Sequence, residues 1–201
     1  MGKSPTTCRR IGLFGGTFNP PHRGHIALAE AFLQQAEVDE VWMLVSPQNP
    51  FKTHQQLLDD AMRLDMVRLA VSSHPRIKAS DYEFSLPRPS YTYHTLCRLR
   101  EDYPTTEFAL LIGGDNWASF DRWFRGEDVL RMASLYVYPR AGERLDTPLP
   151  ERVHLLQAPL IPVSSTEVRQ RIARGEDISS MVSASVADYI ARHHLYQNTT
   201  L

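Results

Sequence analysis

The chain has 201 residues, which is enough for one ordinary globular domain and too few for a large multidomain assembly. Hydrophobic residues make up 42% and charged residues 22%, close to the average soluble protein, so we expect a folded chain with its own core. Lys and Arg number 22 against 23 Asp and Glu, a net charge of -1, which excludes the global basic field that draws proteins nonspecifically onto nucleic acid or anionic membranes. We therefore expect no nucleic-acid partner and no membrane partner, and any polyanion must be bound by a local site.

The two cysteines and the absence of long apolar runs predict a soluble, cytoplasmic protein. Cys8 and Cys97 lie far apart in the chain, which argues against a disulfide framework. No apolar run approaches the roughly 18 to 20 residues of a membrane span. Met1–Arg10 is too polar for the apolar region of a secretory signal.

Short apolar runs alternate with amphipathic helical patterns along the chain. The predicted strands are Ile11–Phe14, Val41–Val45, Ile77–Ser80, Phe108–Ile112, Leu135–Tyr138 and Val153–Leu156. The predicted helices are Arg23–Ala36, Leu57–Ser73, Thr92–Tyr103, Glu127–Ala133, Thr166–Arg174 and Ala184–His193. This alternation predicts an α/β fold with a doubly wound, mostly parallel sheet.

The predicted fold also indicates where chemistry should occur. Ligands of such sheets bind beyond the carboxyl ends of the strands, where the topology switches. We therefore expect the site in the loops that follow Phe14, Val45, Ile112 and Leu156. A single domain over residues 1–201 is predicted, with its core at about 10–196 and the proline-rich stretch 139–162 as a surface excursion.

The first predicted strand leads into an unusual loop and helix start, Gly15-Gly16-Thr17-Phe18-Asn19-Pro20-Pro21-His22-Arg23-Gly24-His25. The two glycines allow the backbone to turn and to approach a ligand closely. His22 and His25 share one face of the first helical turn, beside the unpaired N–H groups and the positive end of the helix dipole. This arrangement predicts an anion site, although it matches neither G-x-x-x-x-G-K-[ST] nor G-x-G-x-x-G.

These eleven residues resemble the signature of the nucleotidyltransferase superfamily, whose H-x-G-H motif corresponds to His22-Arg23-Gly24-His25. A second segment, Ser164-Ser165-Thr166-Glu167-Val168-Arg169, resembles the S-S-T-x-x-R element that holds the triphosphate in that superfamily. The resemblance implies a Rossmann-like nucleotidyltransferase fold. Hydroxyls before a helix are also ordinary N-caps, and that alternative stays open for Ser164 and its neighbours.

Further segments resemble the bacterial-type nicotinate mononucleotide adenylyltransferases. Pro47–Lys52 resembles a loop that supplies a basic contact to phosphate, and Pro89-Ser90-Tyr91-Thr92 resembles the P-S-Y-T segment near the pyridine carboxylate. Ile112-Gly113-Gly114-Asp115 resembles the I-G-x-D element, and Trp123 with Phe124 matches the aromatic pair at the pyridine ring. The open alternatives are an exposed lysine for Lys52, a helix N-cap for Asp115 and a core position for Trp123.

The resemblance implies a role for each matching residue. The catalytic residues would be His22, His25, Lys52 and Arg169. The ATP-binding residues would be Gly15, Gly16, Thr17, Phe18, His22, His25, Gly113, Asp115, Ser164, Ser165, Thr166 and Arg169. Nicotinate mononucleotide would contact Thr17, Lys52, Tyr91, Thr92, Trp123 and Phe124.

The implied reaction is transfer of the adenylyl group of ATP to nicotinate mononucleotide, which gives nicotinate adenine dinucleotide and pyrophosphate in NAD biosynthesis. Mg²⁺ would be carried by the ATP phosphates and not by a set of protein ligands. The alternatives are an adenylyltransferase for nicotinamide mononucleotide or another phosphorylated acceptor, and a noncatalytic nucleotide sensor. The sequence leaves the oligomeric state open, a homo-oligomer included.

Overall fold

A six-stranded parallel sheet forms the centre of the computed structural model, which describes residues 8–47, 57–139, 149–159 and 161–197. The strands are β1 Arg9–Gly16, β2 Glu40–Val45, β3 Ile77–Ser80, β4 Thr106–Gly113, β5 Ser134–Tyr138 and β6 Val153–Leu155. They are arranged in the order β3-β2-β1-β4-β5-β6, and every neighbouring pair is parallel. The prediction of a doubly wound parallel sheet is therefore confirmed.

The helices follow the predicted positions closely. They are α1 Arg23–Gln35, α2 Asp60–Val71, α3 Thr92–Asp102, α4 Gly114–Trp117, α5 Gly126–Met132, α6 Ser165–Ala173 and α7 Ala184–Arg192. The sequence did not predict α4 or two short 3-10 helices, Tyr82–Ser85 and Phe120–Arg122, because a single turn is too short to show a helical period. Within the described ranges, no helix has the length and apolar character needed to span a bilayer.

Alternating side chains of β1 build a core on each face of the sheet. Leu13 packs in the cluster that contains Leu96 and Leu99 of α3, whereas Phe14 packs in the cluster that contains Phe32 of α1. Gly12 lets α1 lie close to the sheet, because a Cβ at this position would be 2.6 Å from Cε1 of Phe32.

The topology switches at β1, which lies between β2 and β4. Gly15 and Gly16 pair with Leu44 and Val45 at the ends of β1 and β2. The chain leaves these two strands and β4 at the same edge of the sheet, so the loops that follow them lie beside one another.

A third apolar cluster brings the second motif to this edge. It joins Met66 of α2, Val168 of α6 and Val186 of α7, all buried. The backbone N–H of Arg23, at the start of α1, donates to the carbonyl oxygen of Met181 at 2.8 Å. This bond joins the start of α1 to the segment between α6 and α7. In addition, Oγ of Ser165 in the first turn of α6 donates to the carbonyl oxygen of Pro20 at 2.8 Å, so the starts of α1 and α6 lie close together although they are far apart in sequence.

Candidate active site

A cavity of about 130 Å³ opens at the switch point, beyond the carboxyl ends of β1, β2 and β4. Its lining includes seven residues that the sequence analysis assigned to substrate binding: Gly15, Gly16, Tyr91, Thr92, Gly113, Trp123 and Phe124. Residues after Phe14, Val45 and Ile112 line the cavity as predicted. No described residue of the loop after Leu156 lines the cavity, and Tyr138 at the end of β5 contributes to the lining.

The two glycines of the first loop serve different purposes. A Cβ on Gly16 would lie 2.8 Å from Cζ of Phe18, a buried ring whose backbone has a positive φ of 45°. A Cβ on Gly15 would meet only Oγ of Ser46, at 3.9 Å, and would project beside the cavity. Gly16 is therefore required by the packing of the loop, whereas Gly15 keeps space for a ligand.

The histidine pair is organised by the start of α1. His22 is the N-cap residue, and its backbone N–H donates to Nδ1 of His25 at 3.1 Å. Because Nδ1 accepts this bond, the proton of the neutral His25 ring lies on Nε2, which can donate to a ligand. The two rings stack at 3.6 Å, and a Cβ on Gly24 would come within 3.0 Å of Nδ1 of His22. Gly24 therefore leaves the space that the His22 ring needs.

Burial determines the charge of His22. The residue is 9% exposed, and desolvation lowers its pKa from 6.5 to about 4. Its Nδ1 has no hydrogen-bond partner among the described residues. The ring is thus neutral at neutral pH, with a polar atom available to an incoming group.

The second motif is attached to the first through side-chain hydrogen bonds to the backbone. Nη1 of Arg169 donates to the carbonyl oxygen of Asn19 at 2.7 Å, and Oγ of Ser165 donates to that of Pro20 at 2.8 Å. Nη2 of Arg169 also donates to Oγ1 of Thr166 at 3.2 Å, and burial lowers the pKa of the guanidinium. Ser164 caps α6 by accepting from the N–H of Glu167 at 3.1 Å, so the N-cap alternative holds for that residue.

The remaining predicted residues divide between surface and cavity. Asp115 is exposed in the first turn of α4, whose N-cap is Gly113, so the N-cap interpretation of Asp115 is wrong. Trp123 packs on Phe120 at 5.1 Å and also lines the cavity, so it is both a packing residue and part of the wall. Phe124 is 47% exposed, and its ring lies 5.2 Å from that of Tyr91.

Sequence reasoning missed two buried ionisable residues beside this site. Arg63 is fully buried and donates from Nη1 to the carbonyl oxygens of Thr17, at 2.6 Å, and Ser46, at 3.0 Å. The helical spacing could have indicated that Arg63 is buried, because Arg63 lies one turn before Met66 on the buried side of α2. Glu83, in the 3-10 helix after β3, is 6% exposed and lines the cavity, and no periodic pattern indicated it.

The described donors suit phosphate oxygens. Imidazole and guanidinium N–H groups stand near the start of a helix, where anions are favoured. No group of three or more His, Cys, Asp or Glu side chains in the described segments is placed to bind a metal ion. Lys52 lies outside the described residues, so its proposed phosphate contact stays a prediction.

Comparison with known proteins first gives the class. The cytidylyltransferase-like family model matches residues 13–171, which include both motifs up to Arg169. This span starts within β1 and ends in α6, so it contains the last four residues of β1, all of β2 to β6 and the lining of the switch-point cavity.

The relatives then give the branch of that class. A "Probable nicotinate-nucleotide adenylyltransferase" of Bacteroides fragilis is 47% identical over 88% of this chain and 89% of its own length. A protein of the same name from Bacteroides thetaiotaomicron is 44% identical over 95% of both chains. The chain therefore belongs to the nicotinate-nucleotide adenylyltransferase branch of the cytidylyltransferase-like family. The solved structure of Plasmodium falciparum nicotinic acid mononucleotide adenylyltransferase complexed with NaAD has a TM-score of 0.78 at 20% identity, over 94% of this chain and 97% of that one, and shares the fold.

Proposed function

We propose that this chain transfers the adenylyl group of ATP to nicotinate mononucleotide, forming nicotinate adenine dinucleotide and pyrophosphate. The observation that carries the proposal is the switch-point cavity, which has an aromatic wall and lies beside the histidine pair: Phe14 lines the cavity, and its ring lies 6.0 Å from that of His25. Two phosphorylated substrates must meet in such a reaction. The names of the relatives support the same activity.

The reaction needs no protein nucleophile. A phosphate oxygen of the acceptor attacks the α-phosphorus of ATP in line, and the bond from that phosphorus to the pyrophosphate oxygen breaks. The protein contributes by holding two anions against each other and by stabilising the charge that spreads over the phosphate oxygens. Magnesium enters as part of the MgATP substrate, where it neutralises phosphate charge.

We propose that His25 and Arg169 bind the triphosphate. Nε2 of His25 carries the proton that can be donated to a phosphate oxygen, since Nδ1 accepts from His22. Arg169 is held against the first loop by its bond to Asn19 and keeps further guanidinium N–H groups for a ligand. His22 offers a neutral ring whose free nitrogen gains a partner when phosphate arrives.

We propose that the aromatic wall binds the pyridine ring. Trp123 lines the cavity and offers a flat face for stacking, with Tyr91 and Phe124 beside it. Glycines at the ends of β1 and β4 leave room for the backbone to approach the nucleotide, and a Cβ on Gly113 would lie 2.5 Å from Oδ1 of Asp115. We propose that Asp115 contacts the adenosine ribose from this position.

Pyrophosphate release tests the proposal. Purified protein with MgATP is given nicotinate mononucleotide, nicotinamide mononucleotide or pantetheine phosphate as acceptor. We expect the highest kcat/KM with nicotinate mononucleotide. A higher value with either of the others would reassign the acceptor, and no release with any acceptor would favour a noncatalytic nucleotide sensor.

A single substitution tests the role of the histidine pair. His25→Ala removes the Nε2 donor, so we expect turnover to fall by roughly 10²- to 10³-fold while ATP still binds. His154→Ala is the matched control, because that histidine is exposed on the edge strand β6. Near-normal turnover of His25→Ala would contradict the assignment.

A further inference from the structure

The lining of the cavity includes three buried polar atoms that have no hydrogen-bond partner among the described residues. They are Oε2 of Glu83, Oγ of Ser90 and Nε1 of Trp123. A buried polar group without a partner is costly, so native proteins keep few of them. Three in one cavity indicate that a bound molecule supplies the missing partners.

Glu83 lines this cavity, and no cation in the described part of the chain compensates its carboxyl. It is 6% exposed, its Oε1 accepts from Oγ1 of Thr95 at 2.9 Å, and Leu44 and Leu96 line the same cavity. No Lys or Arg among the described residues forms an ion pair with it. Isolated buried carboxylates are costly, so burial favours the protonated form of this carboxyl.

The position of the acid proton follows from the hydrogen bond at the other oxygen. Since Oε1 accepts from Thr95, the proton of the uncharged acid lies on Oε2, the atom without a partner. Burial raises the pKa of Glu83, and the nearby hydroxyls of Ser46, Thr95 and Ser90 offset only part of this rise. Oε2 therefore offers an O–H donor to the cavity.

All three free atoms can then act as donors. The indole Nε1–H of Trp123 is a donor only, the Ser90 hydroxyl can donate, and Oε2 of Glu83 carries a proton. A carboxylate has two oxygens that only accept, so it matches such a set. A carboxamide has one accepting oxygen, and its NH₂ group would face donors.

We propose that Glu83 determines acceptor specificity: its uncharged carboxyl donates a hydrogen bond from Oε2 to the carboxylate on the pyridine ring and so favours the acid over the amide. This inference rests on the proposed function, because it concerns the acceptor of that reaction. Ser90, which lines the same cavity, would be the second donor to this carboxylate. Trp123 adds its ring face and its indole N–H.

Two substitutions at one position separate hydrogen bonding from packing. Glu83→Leu removes the donor, and Glu83→Gln keeps an N–H donor of similar shape. We expect Glu83→Leu to lower kcat/KM for nicotinate mononucleotide by roughly 10- to 100-fold, far more than for nicotinamide mononucleotide. We expect Glu83→Gln to restore most of the preference. Glu107→Gln, at an exposed acid of β4, is the control.

Binding measured without turnover separates the proposed role of Glu83 from the proposed adenylyl-transfer reaction. Calorimetric titration with each mononucleotide should show that Glu83→Leu weakens binding of the acid selectively. A wild-type protein that releases no pyrophosphate would contradict the proposed function, and the titration would still decide the role of Glu83. Equal losses for acid and amide, or a Glu83→Gln variant as impaired as Glu83→Leu, would overturn the inference.

Ser90→Ala provides a second variant: Oγ of Ser90 makes no hydrogen bond of normal geometry with the described residues, and its hydroxyl lies near the Glu83 carboxyl. It should fold normally and reduce the preference for the acid several-fold. If Ser90→Ala has the thermal midpoint of the wild type and an unchanged preference for the acid, the proposal that hydrogen-bond donors of the cavity lining select the acid is refuted. This result decides the matter even if Glu83→Leu is too unstable to assay.

Discussion

Arg63 binds the backbone of two active-site loops, and its removal should destabilise the protein strongly. The side chain is fully buried and donates to the carbonyl oxygens of Leu58, Thr17 and Ser46 at 3.0, 2.6 and 3.0 Å. It also pairs with Asp60, which has a second partner in Arg88 at 2.6 Å. Arg63→Met removes the donors and leaves three carbonyl oxygens without them.

The size of the effect follows from these contacts. Each hydrogen bond to a charged group contributes about 1.5–3 kcal/mol, but bonds made by one guanidinium are not additive. Removing one partner of a buried ion pair costs about 3–5 kcal/mol. Because Arg88 still neutralises Asp60, the carbonyl oxygens account for most of the expected loss of about 3–5 kcal/mol. In a chain of this length the thermal midpoint should fall by roughly 6–20 °C.

Urea unfolding of matched variants tests this reasoning. Arg68→Met removes an arginine from the same helix, but Arg68 is 57% exposed and pairs with Asp65 at the surface, so its loss should cost less than about 1 kcal/mol. At temperatures where Arg63→Met is folded, the Michaelis constant for ATP should rise, since the loops at Thr17 and Ser46 lose a common anchor. A free energy of unfolding for Arg63→Met within about 1 kcal/mol of wild type would refute the argument.

Two further predictions concern the first motif. The pKa of His22 is about 4 in the folded protein and 6.5 when unperturbed, so the unfolded chain binds more protons between these values and stability falls as pH falls. The free energy of unfolding should fall by about 3 kcal/mol by pH 4, and urea unfolding across this range measures this loss. His22→Gln should abolish the pH dependence. An unchanged pH dependence in that variant would contradict the argument from burial. Gly16→Ala places a Cβ 2.8 Å from the Phe18 ring and should cost about 1–3 kcal/mol. Gly15→Ala should instead keep the thermal midpoint and raise the Michaelis constant for substrate, and a lower midpoint in Gly15→Ala than in Gly16→Ala would show that the loop is packed differently.

The fold could be predicted because burial on both faces of a parallel sheet leaves a strong periodic signal. The largest difference among the strands concerns β1. The sequence predicted that this strand ends at Phe14, but in the structure it continues to Gly16. Glycine has no side chain to favour a strand, so propensity indicated a loop. Pairing of Gly15 and Gly16 with Leu44 and Val45 supplies the missing stabilisation, and such pairing depends on tertiary structure.

Local geometry also explains which site residues could be predicted. The His22 and His25 arrangement is created within one helical turn, so their spacing alone placed them together. Asn19 is different, because its Oδ1 accepts from the hydroxyl of Tyr196 at 2.9 Å, across 177 positions of sequence. Glu83 is likewise defined by what surrounds it in space, and its neighbours in sequence do not reveal that it is buried.

The near-zero net charge of the chain is compatible with the proposed binding of two phosphorylated substrates, because the described site contains little permanent charge. His22 is neutral through burial, and Arg169 is partly engaged by the carbonyl of Asn19. Attraction of phosphate then depends on hydrogen-bond donors fixed in direction and on the start of α1, whose effects act over one helical turn. A site of this kind discriminates by geometry more than by charge, and the same logic extends to the pyridine end, where an uncharged acid in place of a cation would recognise a carboxylate.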